Sequence, residues 1–523
     1  MTTSSPSPTK QSIWRFTAFN AFLLLLLSVW LWKQNQPINL PNPHLPVDGK
    51  LQCVSYSPYY SNGQTPLNIK TYITHEQIDH DLATLSQQFA CVRIYSVNQG
   101  LDYVPEAASK LGMKVYVGAW IGWVKKLNDR ELNLAIDVAN KYPSTVKALI
   151  IGNEVLLRGE QTESAMKSYI FRAKTATNVP VTYADVWEYW RKHPKLEDSV
   201  DFVTVHILPY WEDKPQSIDK AVDHTQEVML LLGKTFKKPI LIGETGWPSA
   251  GRQRQDSKPS LVNQARYMRS FLTVADEKHW NYNLIEAFDQ PWKRALEGTA
   301  GGNWGIFDIK MASKFPFTGS LAERHDEKSA LYAGCLGALL LLTWALLLKL
   351  HSTKHLFSMA IFGSLIGISI LLEIEYLIIA CRNIQEWILL GGFTLLGFVS
   401  LISIPAYVFN GNKTAKKAIS LSTSIFLLAA IIESYLLIVD GRYREFAMTL
   451  YALPVLHLSL GLWICGQNTK TSYAVYRWLG VLVIAGALVC LCKEPKNHLA
   501  MIWLVISMLI AWANWPTKRT INI

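Results

Sequence analysis

Hydrophobic and polar positions fall into two textures along the chain. Between residues 50 and 328, short runs rich in Val, Ile and Tyr recur between longer stretches with helical spacing: LQCVSYS, ACVRIYS, KVYVGAW, KALIIGN, VPVTYAD, VDFVTVHI, KPILIGE and YNLIEAF. Eight strand-like runs, each followed by room for a helix, predict an α/β fold of the (β/α)8 TIM-barrel type. Outside that window the texture is apolar. Phe19 to Trp32 is a nearly uninterrupted apolar run, preceded by Lys10 and Arg15 and followed by a Pro-rich stretch from Pro37 to Pro46. Trp30 and Trp32 stand where a cleavage site needs small residues, so the segment reads as an uncleaved signal anchor followed by a stiff spacer. From about residue 330, seven apolar runs follow, near 330–350, 356–380, 387–408, 418–439, 446–465, 474–492 and 498–515. Each is long enough, at about 20 residues, to cross a hydrocarbon core. The expected organisation is a cytoplasmic N-terminus (1–15), a transmembrane anchor (16–33), a linker (34–49) and a barrel (50–328). A seven-helix transmembrane domain (329–517) and a cytoplasmic C-terminus (518–523) complete it.

Half of the 523 residues are hydrophobic, which excludes a disordered tail or a small disulfide-stapled module. Residues 50–328 carry 34 Lys and Arg against 32 Asp and Glu, and the rest of the chain carries 17 against 8. A basic surplus between apolar runs orients membrane helices, whereas a nucleic-acid binder would concentrate it on the soluble part, so no nucleic acid is expected as partner. With the N-terminus inside, Lys354, Lys413, Lys416, Lys417, Lys470, Arg477, Lys518 and Arg519 fall on the cytoplasmic side and the barrel outside. Of seven cysteines only Cys53 and Cys91 belong to the barrel window, and two thiols make no disulfide framework; buried, reduced thiols are expected. Glu373, Glu375, Glu433 and His457 lie within apolar runs; pairing with Arg382, Arg442 or Arg444 is the simplest expectation for the acids, and a polar mouth guiding a substrate strand the functional one.

In a TIM barrel the reactive face is the C-terminal end of the strands. Two acids stand there: Glu154 ends IIGNE after the fourth strand and Glu244 ends LIGE after the seventh. Strands four and seven lie nearly opposite in an eight-stranded ring, so the two carboxylates can face each other over a cleft. Glycoside hydrolysis needs that arrangement, one carboxylic acid protonating the departing oxygen while the other attacks or activates water. For either acid alone, a loop-capping salt bridge is the blander reading. Tyr56, Tyr95, Trp120, Trp123, Tyr210, Trp247 and Trp292 follow strand ends, where flat rings can pack on the C–H faces of sugars. His206 in the sixth strand is a sugar-pocket wall or a satisfied core residue; the scattered histidines support no metal or cofactor site.

The segments GNEVLLRG, ETGWPSAG, VTYADVWEYW, VHILPYWED and EAFDQPWKRALEGTAGGNWGIFD closely resemble the β-1,3-glucanases of glycoside hydrolase family 17, in their bacterial, membrane-tethered branch. The resemblance covers roughly residues 50 to 310 and implies a retaining mechanism. It implies Glu154 as general acid/base, Glu244 as nucleophile, Asn153 as a partner of the sugar 2-hydroxyl, and Glu286 with Lys293 as an ion pair lining the cleft. Tyr183, within VTYADVWEYW, is expected among the substrate-binding residues. Glu154 must then stay protonated near neutrality and Glu244 ionised, the latter helped by a cation such as Arg93, for which a structural bridge at the barrel floor weighs equally. The implied activity is cleavage of β-glucan through a covalent glucosyl-enzyme, passed to water or to a glucan acceptor. The expected location is a bacterial inner membrane, with the barrel periplasmic and a glucan synthase as membrane partner. The alternatives are a catalytically inactive glucan-binding sensor or transport subunit, and a membrane glycosyltransferase. The latter would want an Asp-x-Asp site, whose sole match, Asp79-His80-Asp81, reads as a solvated helix face.

Overall fold

A computed structural model describes residues 10–46, 48–61, 63–467 and 473–516; the expected N-terminus before residue 10, Lys470, Lys518, Arg519 and the C-terminus 518–523 lie outside the described residues. The chain divides into two compact units, Asn39–Ala250 with Ser257–Leu321, and Met1–Ile38 with Gly251–Asp256 and Ala322–Ile523.

The first unit is the barrel. Strands β1 (Leu51–Ser55), β2 (Phe89–Ile94), β3 (Lys114–Ala119), β4 (Val146–Asn153), β5 (Val181–Val186), β6 (Val203–His206), β7 (Ile240–Thr245) and β8 (Asn281–Leu284) close in chain order, all parallel, with β8 returning to β1. All eight correspond to the runs legible in the sequence. Alternation along each strand sorts the side chains. Val54, Val92, Val115, Val117, Leu149, Val181, Val203, Val205 and Ile242 turn outward into the main core, while Cys53, Cys91, Tyr116, Ala148, Ile150, Ala184 and Leu241 form a separate interior cluster. Thr74, Thr162 and Ser260 cap three of the surrounding helices, each side chain accepting from the backbone N–H three residues on.

Two expectations change here. Cys53 and Cys91 are disulfide-bonded, not reduced: they are register partners on neighbouring strands and both face the interior, with Cα atoms 4.5 Å apart. The Pro-rich stretch is also not wholly a free spacer. Leu40 is buried in the barrel core, and the buried guanidinium of Arg269 donates to the carbonyls of Leu40, Gly319 and Pro316.

The second unit is helical. Among the described residues six helices are long and apolar enough to cross a membrane: Ser12–Asn35, Glu327–Leu347, Thr353–Ala380, Ile384–Asn410, Lys413–Val439 and Val475–Lys493. Two apolar helices, Met448–Ile464 and His498–Asn514, are shorter. Gly337, Gly363 and Gly367 bring the second and third of the long helices into backbone contact; a Cβ on Gly337 would meet the Gly363 carbonyl oxygen at 2.1 Å. Two acids of this unit are not paired as expected: Glu375 meets Arg324 at 2.6 Å and Glu373 accepts from Ser369, while Arg382 is engaged by Glu386 in the first turn of the following helix. Glu433 does face the charge of Arg444, one of its expected partners. His457 is buried between the Leu453 carbonyl and the Asn20 amide. The segment Gly251–Asp256 packs within this unit, Arg252 pairing with Glu494 at 2.7 Å.

Candidate active site

The two acids reach the same space because the strand ends break their own alternation. On β7, Leu241 faces in and Ile242 out, so strict parity would turn Glu244 outward; a register shift against β6 pairs His206 with Glu244 instead. On β4 the register against β5 shifts between Ile150 and Asn153. Gly152 there takes φ +86°, where a Cβ would strike Val155 and Met166, and Glu154 follows at φ +54°.

Glu244 is nearly buried and surrounded by donors. Tyr95 Oη donates to its Oε1 at 2.8 Å and Arg93 Nη1 at 3.3 Å. Because Tyr95 spends its proton on the carboxylate, Ser55 Oγ donates to Tyr95 at 2.8 Å and is itself held by Asn283 Nδ2 at 2.7 Å. Arg93, also fully buried, donates through Nη1 to the Gly243 carbonyl at 2.7 Å and through Nη2 to Asn153 Oδ1 at 2.5 Å. Arg93 is therefore at the strand tips beside Glu244, and not only a bridge in the floor.

His206 lies under both acids with a fully buried side chain, so it is not a wall that sugar touches. Its Nδ1 is 2.8 Å from Glu154 Oε1, and its Nε2 is 3.3 Å from Arg93 Nη1 and 3.5 Å from Glu244 Oε1. Arginine can only donate, so Nε2 accepts and the ring proton resides on Nδ1, directed at Glu154. Burial pushes the Glu154 carboxyl up, but the hydrogen bond from His206 and the charges of Arg158 and Arg93 pull harder, leaving it below its ordinary value of 4.5. That departs from the expectation of a carboxylic acid held protonated in the free site.

Beside this group, Lys293 Nζ sits 2.8 and 2.9 Å from the two oxygens of buried Glu286. Burial pushes Glu286 up to about 7 against the pull of Lys293. Burial lowers Lys293, but the charges of Glu286 and Glu297 outweigh it and the ammonium is held above its usual range. Sequence reasoning missed Glu297, one turn beyond Lys293 in the quoted LEGTAGG segment. Burial and the charges of Glu154 and Glu244 raise it, with Lys293 opposing. It also missed Asp185, raised to about 6 by burial, and Arg158, which hydrogen-bonds the Asn153 carbonyl and lies 4.5 Å from the Trp120 ring.

The aromatic expectations divide. Trp120 and Trp123 are exposed, at 42% and 69%, and Tyr95 and Trp292 are half-buried. Tyr56, Tyr183, Tyr210 and Trp247 are buried, so half of the expected groove aromatics are wall. Tyr56 Oη donates to Asp81 at 2.8 Å, Tyr183 donates to Asp185 while receiving the Leu156 N–H, and Trp247 Nε1 donates to the Lys258 carbonyl. Each lies on the outward parity of its strand end. Asp81 is accordingly buried between Tyr56 and Tyr60, and only Asp79 of the Asp-x-Asp match is on a solvated face.

One ligand atom each from Glu154, His206 and Glu244 lies within 4.8 Å of the others, a spacing a divalent ion would accept. Arg93 Nη1 already donates into two of those lone pairs, so an ion there would have to displace a buried guanidinium. The same spacing places the two carboxylates near the separation of about 5–5.5 Å used by retaining glycosidases and short of the about 6.5–9.5 Å of inverting ones.

A parallel barrel with two facing carboxylates at the ends of β4 and β7 is the architecture of a glycoside hydrolase domain. Residues 53–305 match the BtgE/BtgC glycoside hydrolase domain. The chain is 29% identical over 320 residues to a probable glucan endo-1,3-beta-glucosidase, btgC, of Aspergillus terreus, covering 54% of this chain and 47% of that protein. It is 25% identical over 265 residues to a glucan 1,3-beta-glucosidase of Candida albicans, covering 45% and 84%. A family 17 beta-1,3-glucanosyltransferase structure from Rhizomucor miehei aligns with 27% identity and a TM-score of 0.45, covering 51% of this chain and 96% of that one. The chain spans about half the length of the btgC relatives it matches, and the relatives named here are fungal.

Proposed function

We propose that the protein is a membrane-tethered, retaining glycosidase and transglycosylase acting on β-1,3-glucan. The observation that carries this is the approach of the Glu154 and Glu244 carboxylates within 4.8 Å across the barrel mouth. Glu244, held by Tyr95 and Arg93, attacks the anomeric carbon. Glu154 gives its proton to the departing glycosidic oxygen, and a glucosyl ester forms on Glu244. A bound sugar strips water from Glu154 and raises its proton affinity when the acid is needed. In the second half, Glu154 takes the proton of a water or sugar hydroxyl as that oxygen displaces Glu244. Asn153 spends its Oδ1 on Arg93, so the amide group it offers a ligand hydroxyl is the Nδ2 donor. Tyr95 and Trp292 line the site around the Glu286–Lys293 pair, and Trp120 with Trp123 offers ring faces farther out.

The glucan 1,3-beta-glucosidase activities of the relatives support β-1,3-glucan as substrate. The apolar helices support a bilayer as partner. The Cys53–Cys91 disulfide supports a barrel facing an oxidising compartment, which in a bacterium is the periplasmic side of the inner membrane. A glucan synthase in that membrane would be the source of the chains it processes.

The test is labelling with a 2-deoxy-2-fluoro laminaribiosyl fluoride, followed by peptide mapping, together with Glu154→Gln and Glu244→Gln. The label should reside on Glu244, and both variants should lose turnover while keeping the thermal transition. Label on another residue, or wild-type turnover in either variant, overturns the assignment. Products longer than the donor at high laminari-oligosaccharide concentration identify transfer; only shorter ones remove it.

A further inference from the structure

Resting on the roles just given to Glu154 and Glu244, we propose that His206 is a positioning residue that biases Glu154 toward its base form, so that the site is tuned for the second half-reaction. Two observations and one rule of electrostatics carry this. The imidazole is wholly buried, with neither nitrogen facing the cleft. Arg93 fixes its tautomer by donating to Nε2 at 3.3 Å, which aims the Nδ1 proton at Glu154 Oε1 over 2.8 Å. A donor held there binds the Glu154 carboxylate more tightly than the carboxylic acid.

The charged groups facing this pair come from several strands. Arg93 on β2 and Arg158 after β4 reinforce the carboxylate form. Asp185 on β5, Glu244 on β7 and Glu297 oppose it. Once Glu244 is esterified its charge is gone, one opponent is removed, and His206 meets less resistance. In that state the acceptor O–H gives its proton to Glu154 and the acceptor oxygen bonds to the anomeric carbon. The bond to Glu244 breaks, returning its electron pair to the carboxylate, and the newly protonated Glu154 is ready to act as acid in the next cycle.

The test uses the full chain in detergent with laminaribiosyl fluoride, whose leaving group needs no acid, so that turnover reports the second half-reaction. In the wild type, kcat should fall only below about pH 4.5, the ordinary carboxylate range. His206→Leu, which removes the donor, should move that limb up by about 1 to 2 units, the worth of a hydrogen bond to a charged group. His206→Asn, which keeps a neutral N–H near Nδ1, should restore most of the shift. A wild-type limb above about pH 5.5, an unmoved limb in His206→Leu, or equal shifts in Leu and Asn overturns the proposal. If His206→Leu does not fold, the wild-type limb and the Asn variant still decide. A wild type that does not turn over the fluoride overturns the parent reading instead.

Discussion

Replacing Arg93 by Met tests the electrostatic frame of the site. Arg93 and Glu244 are both almost fully buried, with side chains 1% and 6% exposed, and Arg93 is the nearest cation to that carboxylate among the described residues. Met keeps most of the volume but removes the charge and the donors to Gly243, Asn153, Glu244 and His206. Breaking a buried pair from one side costs about 3–5 kcal/mol, because the other charge stays buried without a counter-charge. At about 2 °C per kcal/mol for a barrel of this length, the barrel transition should drop by about 6–10 °C. The loss should shrink when Glu244 is already neutral. In a thermal double-mutant cycle on the full chain, Arg93→Met in the Glu244→Gln background should therefore cost at least about 1.5 kcal/mol less than in the wild type. Equal losses in the two backgrounds would mean that Arg93 acts through packing and its backbone bonds alone, and the electrostatic argument would be wrong.

Other expectations follow from the same geometry. Burial holds Asp81 and Asp185 up at about 6 and Glu188 and Glu286 up at about 7. The folded barrel thus keeps protons that the unfolded chain has already released above about pH 4.5. Stability from these groups is complete below the unfolded values and is lost as pH rises through 6 to 7, so the barrel transition should fall from pH 5.5 to pH 8; a rise across that window refutes the assignment. The Cys53–Cys91 bond closes a loop at a sequence separation of 38, worth about 4 kcal/mol of chain entropy. The double Ala variant should melt measurably lower, and an unchanged transition would contradict the bond. In the helical unit, Gly337→Leu should disrupt packing, seen as loss of a monodisperse peak on gel filtration. Gly391→Ala, where nothing lies within 4 Å of the new Cβ, should behave as wild type.

How much of this was legible in the chain depends on how far a side chain lies from a strand end. Mid-strand alternation and apolar-run length are local properties, which is why all eight barrel strands and the apolar helices could be read directly. The Cys53–Cys91 bond could not, because it depends on the register between two strands, and sequence patterns fix each strand but not its offset from a neighbour. The aromatic residues were misjudged for a related reason. Reading every ring after a strand as cleft-facing assumes that position alone sets direction, yet the shift on β7 that turns Glu244 inward sends Thr245 and Trp247 outward, where both pack on Tyr267. The irregularity that turns Glu244 inward therefore also hides Trp247 in the wall. His206 shows the converse: its place in the sixth strand was plain, but only the β6–β7 offset sets it beneath two carboxylates. A strand tip announces that chemistry can occur there, whereas the bulge decides which side chains take part, so Glu244 and Trp247, three residues apart, have opposite fates.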